Sequence, residues 1–256
     1  MANAEHLALL KQGVDVWNHW RGTYPAYVDL SDADLQGIQL QRANLSQTDF
    51  SNANLSQANL SRADLGRVIL SDANLTDANL SEVYLGEAYV SNANLRGANL
   101  SEAVLREAIF SEACLVGCNL GHTDLRQSNF QRANLSDANL SAADLRYADF
   151  SAANLATAHL RWANLSHANL NQANLQAANL SGANLAFVTL VQALCRATIF
   201  NLSELEQADF SQADLSEASL VGANLLNATF TGVDLRQIDL RGATQVPMEL
   251  TVNTSV

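Results

Sequence analysis

The sequence predicts an all-β solenoid, a four-sided parallel β-helix, and three observations predict it. Every fifth residue from Leu30 to Leu240 is apolar without an insertion or slip. Of these 43 positions 34 are Leu, seven are Phe, and the remaining two are Val90 and Cys195. The position two residues earlier is Ala in 30 of the 43 pentads, and the one between is Asn or Asp in 29. Finally, Phe50, Phe110, Phe130, Phe150, Phe210 and Phe230 are separated by multiples of 20, with only Phe200 out of step.

Leu and Ala favour helix, but the period rejects it. At about 100° per residue, successive leucines would sit roughly 140° apart and wind around the whole helix surface. A long strand fails too, because an odd step sends alternate leucines to opposite faces. All the leucines reach one interior only if the chain turns a corner in every pentad. The Asn, Asp, Ser and Gly of each unit, as in Ala53-Asn54-Leu55-Ser56-Gln57, accept turns at low cost. The Phe spacing sets four pentads to the coil and stacks Phe110, Phe130 and Phe150 in one interior column. About eleven coils at about 4.8 Å each make a rod roughly 50 Å long.

Three segments follow in order. Residues 1–27 carry Leu7, Leu10, Val14 and Trp17 at helical spacing, with Asn3 able to cap the start and Gly22 followed by Pro25 able to end it. A solenoid leaves its first coil's leucines and strand edges open, so this segment reads as a capping helix, with a partner-binding helix as the alternative. Residues 28–243 are the repeat domain. Residues 244–256 form a C-terminal cap or tail in which Val246, Met248 and Leu250 close the other end. That thin cover leaves two states open, a monomer or an end-to-end dimer through the C-terminal coil.

The A(N/D)LSx unit, unbroken over residues 28 to 243, resembles the pentapeptide-repeat family, and the loop-free, leucine-centred style is most like its cyanobacterial members. The resemblance implies a right-handed quadrilateral β-helix with the Leu/Phe and Ala columns inward and the other three positions outward. Ile38, Val68, Val83, Val188, Val233 and Ile238 depart from Ala and are expected to adjust their coils locally.

No apolar run approaches the about 18 residues of a membrane span. The start, Met1 to His6, lacks the basic and apolar regions of a signal peptide, and three cysteines make no disulfide framework. Cys118 and Cys195 fall in inward columns, and Cys114 in an outward one. A cytoplasmic protein is expected. The histidines, His6, His19, His122, His159 and His167, show no metal-ligand spacing. There is no phosphate loop or nucleophile elbow, and the carboxylates have no pocket to exclude water. No enzyme, metal or cofactor is expected.

Chemistry is therefore sought in the outward Asn/Asp column where it breaks. Tyr84 and Val104 stack on one face, and Ile69, Tyr89 and Ile109 on the next, with Glu82, Glu87, Glu102, Glu107 and Glu112 around them. An apolar patch rimmed by acids fits a protein-binding surface; alternatively, these residues only strengthen the strand ladders. A second candidate patch is Tyr147, His167, Phe187 and Leu194, with Val191 and Ile199 near it and Trp162 on a different corner. Arg106, Arg126 and Arg146 form a column near Asp124, Asp144 and Asp149, either a solvated ladder or a strip for an anion or an acidic partner.

The resemblance carries two functions. One is a non-catalytic scaffold for protein–protein interaction with a regulatory role, as in the family members that act in heterocyst signalling. The other is a DNA mimic that inhibits or protects gyrase or another topoisomerase. The net charge of −12 has the right sign for the mimic. However, residues 151 to 203 hold no acid and only Arg161 and Arg196, whereas a duplex carries about one charge per 1.7 Å throughout. The scaffold reading, with another protein as partner and neither membrane nor nucleic acid bound directly, is preferred.

Overall fold

The structure, a computed structural model, describes residues 2–24 and 27–247. Its logic is set by the five amides of one pentad. Asn54 N donates to Ala33 O of the preceding coil at 2.9 Å, while Leu55 N and Gln57 N donate to Asn74 O and Thr76 O of the next coil at 2.7 and 2.8 Å. Ala58 N closes a β-turn onto Leu55 O at 3.0 Å. The fifth amide, Ser56 N, has no backbone partner and is taken by the Asn54 side chain at 3.2 Å. Parallel bridges accordingly join residue i to i+20, from Asp34 with Asn54 to Asn224 with Thr244, and two short strands, β1 (Val28–Asp29) and β2 (Thr48–Asp49), open the series. The architecture is a repeat β-helix of 20-residue coils.

From Asp32 to Gly232 the third residue of each turn is left-handed, with φ near +58° even at bulky residues such as Arg62, Tyr147 and Trp162. This conformation costs an L-residue of order 1 kcal/mol, and the two inter-coil bonds of each turn offset it. The turn directs Leu and Ala inward. Leu135, Ala133 and their equivalents have essentially no exposed surface, and the core runs as one cluster from Leu10 to Leu235. Phe110, Phe130 and Phe150 stack with ring centroids 4.9 Å apart, and Phe200 meets Phe210 edge-on at 5.7 Å. Val68, Val83 and Val188 are accommodated fully buried, whereas Ile38, Val233 and Ile238 at the two ends are partly exposed. Hydroxyls in the Ala column at Thr123, Ser128, Thr198 and Ser203 donate to backbone carbonyls, whereas the buried hydroxyl of Thr48 has no partner among the described residues. Cys118 and Cys195 are buried and Cys114 half-buried.

The N-terminal segment is two helices, α1 (Ala4–Leu10) and α2 (Val14–Thr23), where the spacing predicts one. Gly13, at φ +107°, breaks the run, and the Asn3 side chain accepts from Glu5 N and His6 N at the start. Gly22 lies inside α2 instead of ending it, and Pro25 falls outside the described residues. Side chains of α2 supply the bonds a preceding coil would make. Trp17 Nε1 donates to Asn44 O at 2.7 Å, Arg21 Nη2 to Ser46 O at 2.6 Å, and Asn18 Oδ1 accepts from Asn44 N at 2.8 Å. From α1, His6 Nδ1 accepts from Asp29 N at 3.3 Å.

At the other end the ladder thins. Asp234 makes no bridge to Asp214, although Asp239 and Thr244 pair with the coil before them. Two carboxylates meet in that column, and Arg236 binds Asp234; Asp124 with Asp144, which Arg126 links, and Asp29 with Asp49 also adjoin and keep their pairing. Val246 packs partly against the core, while Met248 and Leu250, expected to close this end, lie outside the described residues.

Leu135→Ala should destabilise by about 2–5 kcal/mol, because it opens a cavity between coils. Asn134→Ala, which strips the cap from Ser136 N, should cost about 0.5–1.5 kcal/mol. Denaturant midpoints should rank Leu135→Ala lowest, then Asn134→Ala, with Ser136→Ala close to the parent. Equal midpoints for the first and last would contradict the inward assignment.

Candidate functional site

The Ser56 arrangement is general. All 29 Asn and Asp residues of the outward column place Oδ1 on the amide two residues onward, at 2.8–3.5 Å. Many are also linked coil to coil, as where Asn74 Nδ2 donates to Asn54 Oδ1 and Asn174 Nδ2 to Asn154 Oδ1. Exceptions to this column are therefore costly, and their placement is informative.

Five of them adjoin. Tyr84 bridges Val104 on one face, and Tyr89 bridges both Ile69 and Ile109 on the next, around the corner formed by Gly86, Glu87, Arg106 and Glu107. None can accept a hydrogen bond from the amide it would cap, so those of Ser71, Gly86, Ser91, Arg106 and Ser111 have no acceptor among the described residues. An unpaired amide costs about 1–3 kcal/mol when fully buried and less where water reaches it. Side-chain packing between ladder neighbours returns about 0.2–1 kcal/mol per pair. The balance for the fold alone is unfavourable or near zero, which argues against ladder reinforcement as the patch's purpose.

The patch has relief. Tyr84 folds flat across the corner: a Cβ on Gly66 would lie 2.9 Å from its Cε1, and one on Gly86 2.5 Å from its Oη. Only glycine at both positions leaves the ring that room. A shallow depression of about 210 Å³ results, lined in part by Gly66, Arg67, Tyr84, Gly86 and Glu87. Tyr84 and Tyr89 are 47% and 51% exposed, respectively, which leaves half of each ring for a partner. Of the acids around them, Glu82 pairs with Arg62, Glu87 with Arg67 and Glu112 with Arg132, while Glu102 and Glu107 make no ion pair among the described residues.

In the second patch, Tyr147, His167 and Phe187 form an outward comb, with centroids 4.9 and 4.7 Å apart and planes within 7°. Leu194 does not join them. It bridges Asn174 and Asp214 in another column. Seven residues beyond Phe187, it has passed a whole face and a further corner. Val191 and Ile199 are likewise on other sides. Trp162 lies exposed over Gly182, whose Cβ would sit 2.3 Å from the indole, a cradle that glycine alone permits.

The arginine column is largely neutralised. Arg106 and Arg126 hold Asp124 at 2.5 and 2.8 Å, and Arg146 holds Asp144 at 2.7 Å. Asp149 takes no part, since its Oδ1 accepts from Ser151 N and Asn169 Nδ2. No cluster of His, Cys, Asp and Glu suited to a metal occurs among the described residues, and no helix is long and apolar enough to cross a membrane.

The model of the family described as pentapeptide repeats matches residues 29–67, 84–121, 118–156, 158–194 and 208–244. The chain belongs to the pentapeptide-repeat family. Among solved structures it is similar to HetL of the cyanobacterium Nostoc sp. strain PCC 7120, a pentapeptide repeat protein involved in heterocyst differentiation regulation. The two are 34% identical over 82% of this chain and 89% of HetL, with a TM-score of 0.51. A second pentapeptide repeat protein of Nostoc, alr5209, is 31% identical over 43% of this chain and 83% of its own length, with a TM-score of 0.23. QnrB1, a plasmid-mediated fluoroquinolone resistance protein, is 19% identical over 86% of this chain and 93% of its own, with a TM-score of 0.30. No curated protein sequence matches the chain.

Two outcomes follow. Converting Tyr84, Tyr89, Val104 and Ile109 together to Asn returns a cap to four amides, so the thermal midpoint should hold or rise; a fall of several degrees would show that the apolar residues serve the ladder. Separately, the guanidinium of Arg126 beside Asp124 holds its carboxyl at about 2. The native pKa is depressed, so this stabilisation is complete above the ordinary carboxylate value of about 4 and disappears as pH falls through about 2. Asp124→Asn, which keeps the cap on Arg126 N, should flatten the loss of stability across that window, read as unfolding midpoint against pH.

Proposed function

We propose that this pentapeptide-repeat protein is a non-catalytic scaffold that binds another protein through the patch of Tyr84, Tyr89, Val104, Ile109 and Ile69, in a regulatory role. The observation that carries the proposal is the run of five neighbouring positions at which the repeat gives up its amide cap for apolar surface. Aromatic residues in such patches often dominate interface energy, and the glutamates around them favour a partner with basic residues at its rim. The likeness to HetL supports a regulatory role of this kind. In the test, the four-Asn variant stays folded and loses the cellular partner that the parent protein retains. Retention of that partner by the folded variant would remove the patch from the interface.

The alternative, a DNA mimic directed at gyrase or another topoisomerase, has the net charge of −12 in its favour. Against it stands the acid-free stretch 151–203, more than two coils long. We expect no inhibition of gyrase supercoiling by the purified protein at low micromolar concentration. Inhibition abolished by neutralising the acids of residues 204 to 239 would reverse the ranking.

A further inference from the structure

The two aromatic patches lie far apart in sequence and share one corner of the rod. Coils stack at 20 residues, so Arg67, Glu87, Glu107, Gln127, Tyr147, His167 and Phe187 form a single column along it. All are left-handed, with φ of 56–61°, and each side chain leaves the backbone from the same turn position. The column spans six coil steps, roughly 29 Å. Read backward from Gln127, it complements itself.

We propose that a second copy of this chain docks antiparallel along this corner, with the twofold axis at Gln127. Phe187 then meets Arg67 of the partner subunit, His167 meets Glu87 of the partner subunit, and Tyr147 meets Glu107 of the partner subunit. A guanidinium over a phenyl ring, a carboxylate beside an imidazole, and a carboxylate accepting from a phenol are all favourable. Gln127 meets its own copy, and two amides satisfy each other.

Shape and charge agree with this register. The Tyr147, His167 and Phe187 comb stands out from the corner, whereas Tyr84 lies flat over Gly66 and Gly86 and leaves the depression of about 210 Å³ at the coil that Phe187 reaches. Most of the comb lies in or beside the acid-free stretch; the depression lies among Glu82, Glu87, Glu102 and Glu107. Antiparallel docking sets the acidic half of one rod against the acid-free half of the other, while parallel docking would set acid on acid. Arg106 and Arg146 also come together and Arg126 meets its own copy, but each already holds a carboxylate, which screens their repulsion. Isologous twofold contacts are the commonest form of self-assembly. The strip is narrow compared with the about 800 Å² per partner of a standard interface, so the dimer should depend on concentration.

The dimer covers the same corner as the proposed protein-binding patch, so the two contacts exclude each other, but purified protein tests dimerisation without any other partner. Sedimentation velocity of the full chain, from low micromolar to several hundred micromolar, should show a monomer–dimer equilibrium. Phe187→Ala should weaken dimerisation at least about tenfold with an unchanged thermal midpoint. In a C114S background, Q127C should form an intermolecular disulfide with its own copy. E107C and Y147C should each remain uncrosslinked alone and crosslink when mixed, and A177C, on another corner, should not crosslink. A monomer throughout the range, self-crosslinking of E107C, or equal crosslinking at A177C would overturn the proposal.

Discussion

The requirement that every backbone amide find an acceptor organises this molecule. In each pentad three amides reach neighbouring coils and one closes the turn, which leaves a single N–H that no carbonyl can serve. The Asn or Asp two residues before it fills that place in all 29 pentads that have one, as Asn54 does for Ser56 N. The fixed composition of the repeat follows. Leu and Phe fill the interior, Ala leaves them space, and Asn or Asp completes the amide set. Ser, and the variable residue after it, take the outer turn. The same requirement explains α2, whose Trp17, Asn18 and Arg21 supply donors and an acceptor where no earlier coil exists.

This constraint also separates scaffold from candidate site. Replacement of the variable turn residue leaves the amide set intact, so Gln, Arg, Glu and Trp all occur there. Replacement of the cap does not. Where Thr189 and Ser219 stand in the column, the amides of Val191 and Val221 are recovered by Asn171 and Asn201 of the preceding coil. Around Tyr84 and Tyr89 no such recovery occurs, and five uncapped amides sit beneath exposed apolar surface. Other uncapped amides occur along the rod, as at Gln41, Val116, Arg161, Arg196 and Asn201, but the largest adjoining group lies here, beside Glu102 and Glu107, which make no ion pair among the described residues.

The fold was legible in the sequence because a strict period converts directly into geometry. The Phe spacing placed Phe110, Phe130 and Phe150 in contact, and the column arithmetic placed Tyr147 on His167 and His167 on Phe187. Proximity in sequence was a poorer guide. Leu194 is close to Phe187 along the chain but lies beyond an intervening face, since only multiples of 20 bring outward residues together. The α1–α2 break was signalled by Gly13, which helical spacing alone passes over. The flat seat of Tyr84 needed the joint placement of Gly66 and Gly86, and the binding of α2 to Asn44 and Ser46 needed knowledge of which groups the first coil leaves open.

Amide hydrogen exchange tests the central claim most directly, because it reads each N–H separately in the folded protein. Capped amides at this position, such as Ser136 and Ser166, should be strongly protected. Those of Ser71, Ser91, Arg106 and Ser111 should exchange faster by orders of magnitude, while their neighbours Leu70, Val90 and Leu105, bonded to the next coil, remain protected. Equal protection at the capped and uncapped positions would show that the Asn and Asp side chains do not complete the amide set, and the distinction between scaffold and site would fail with it.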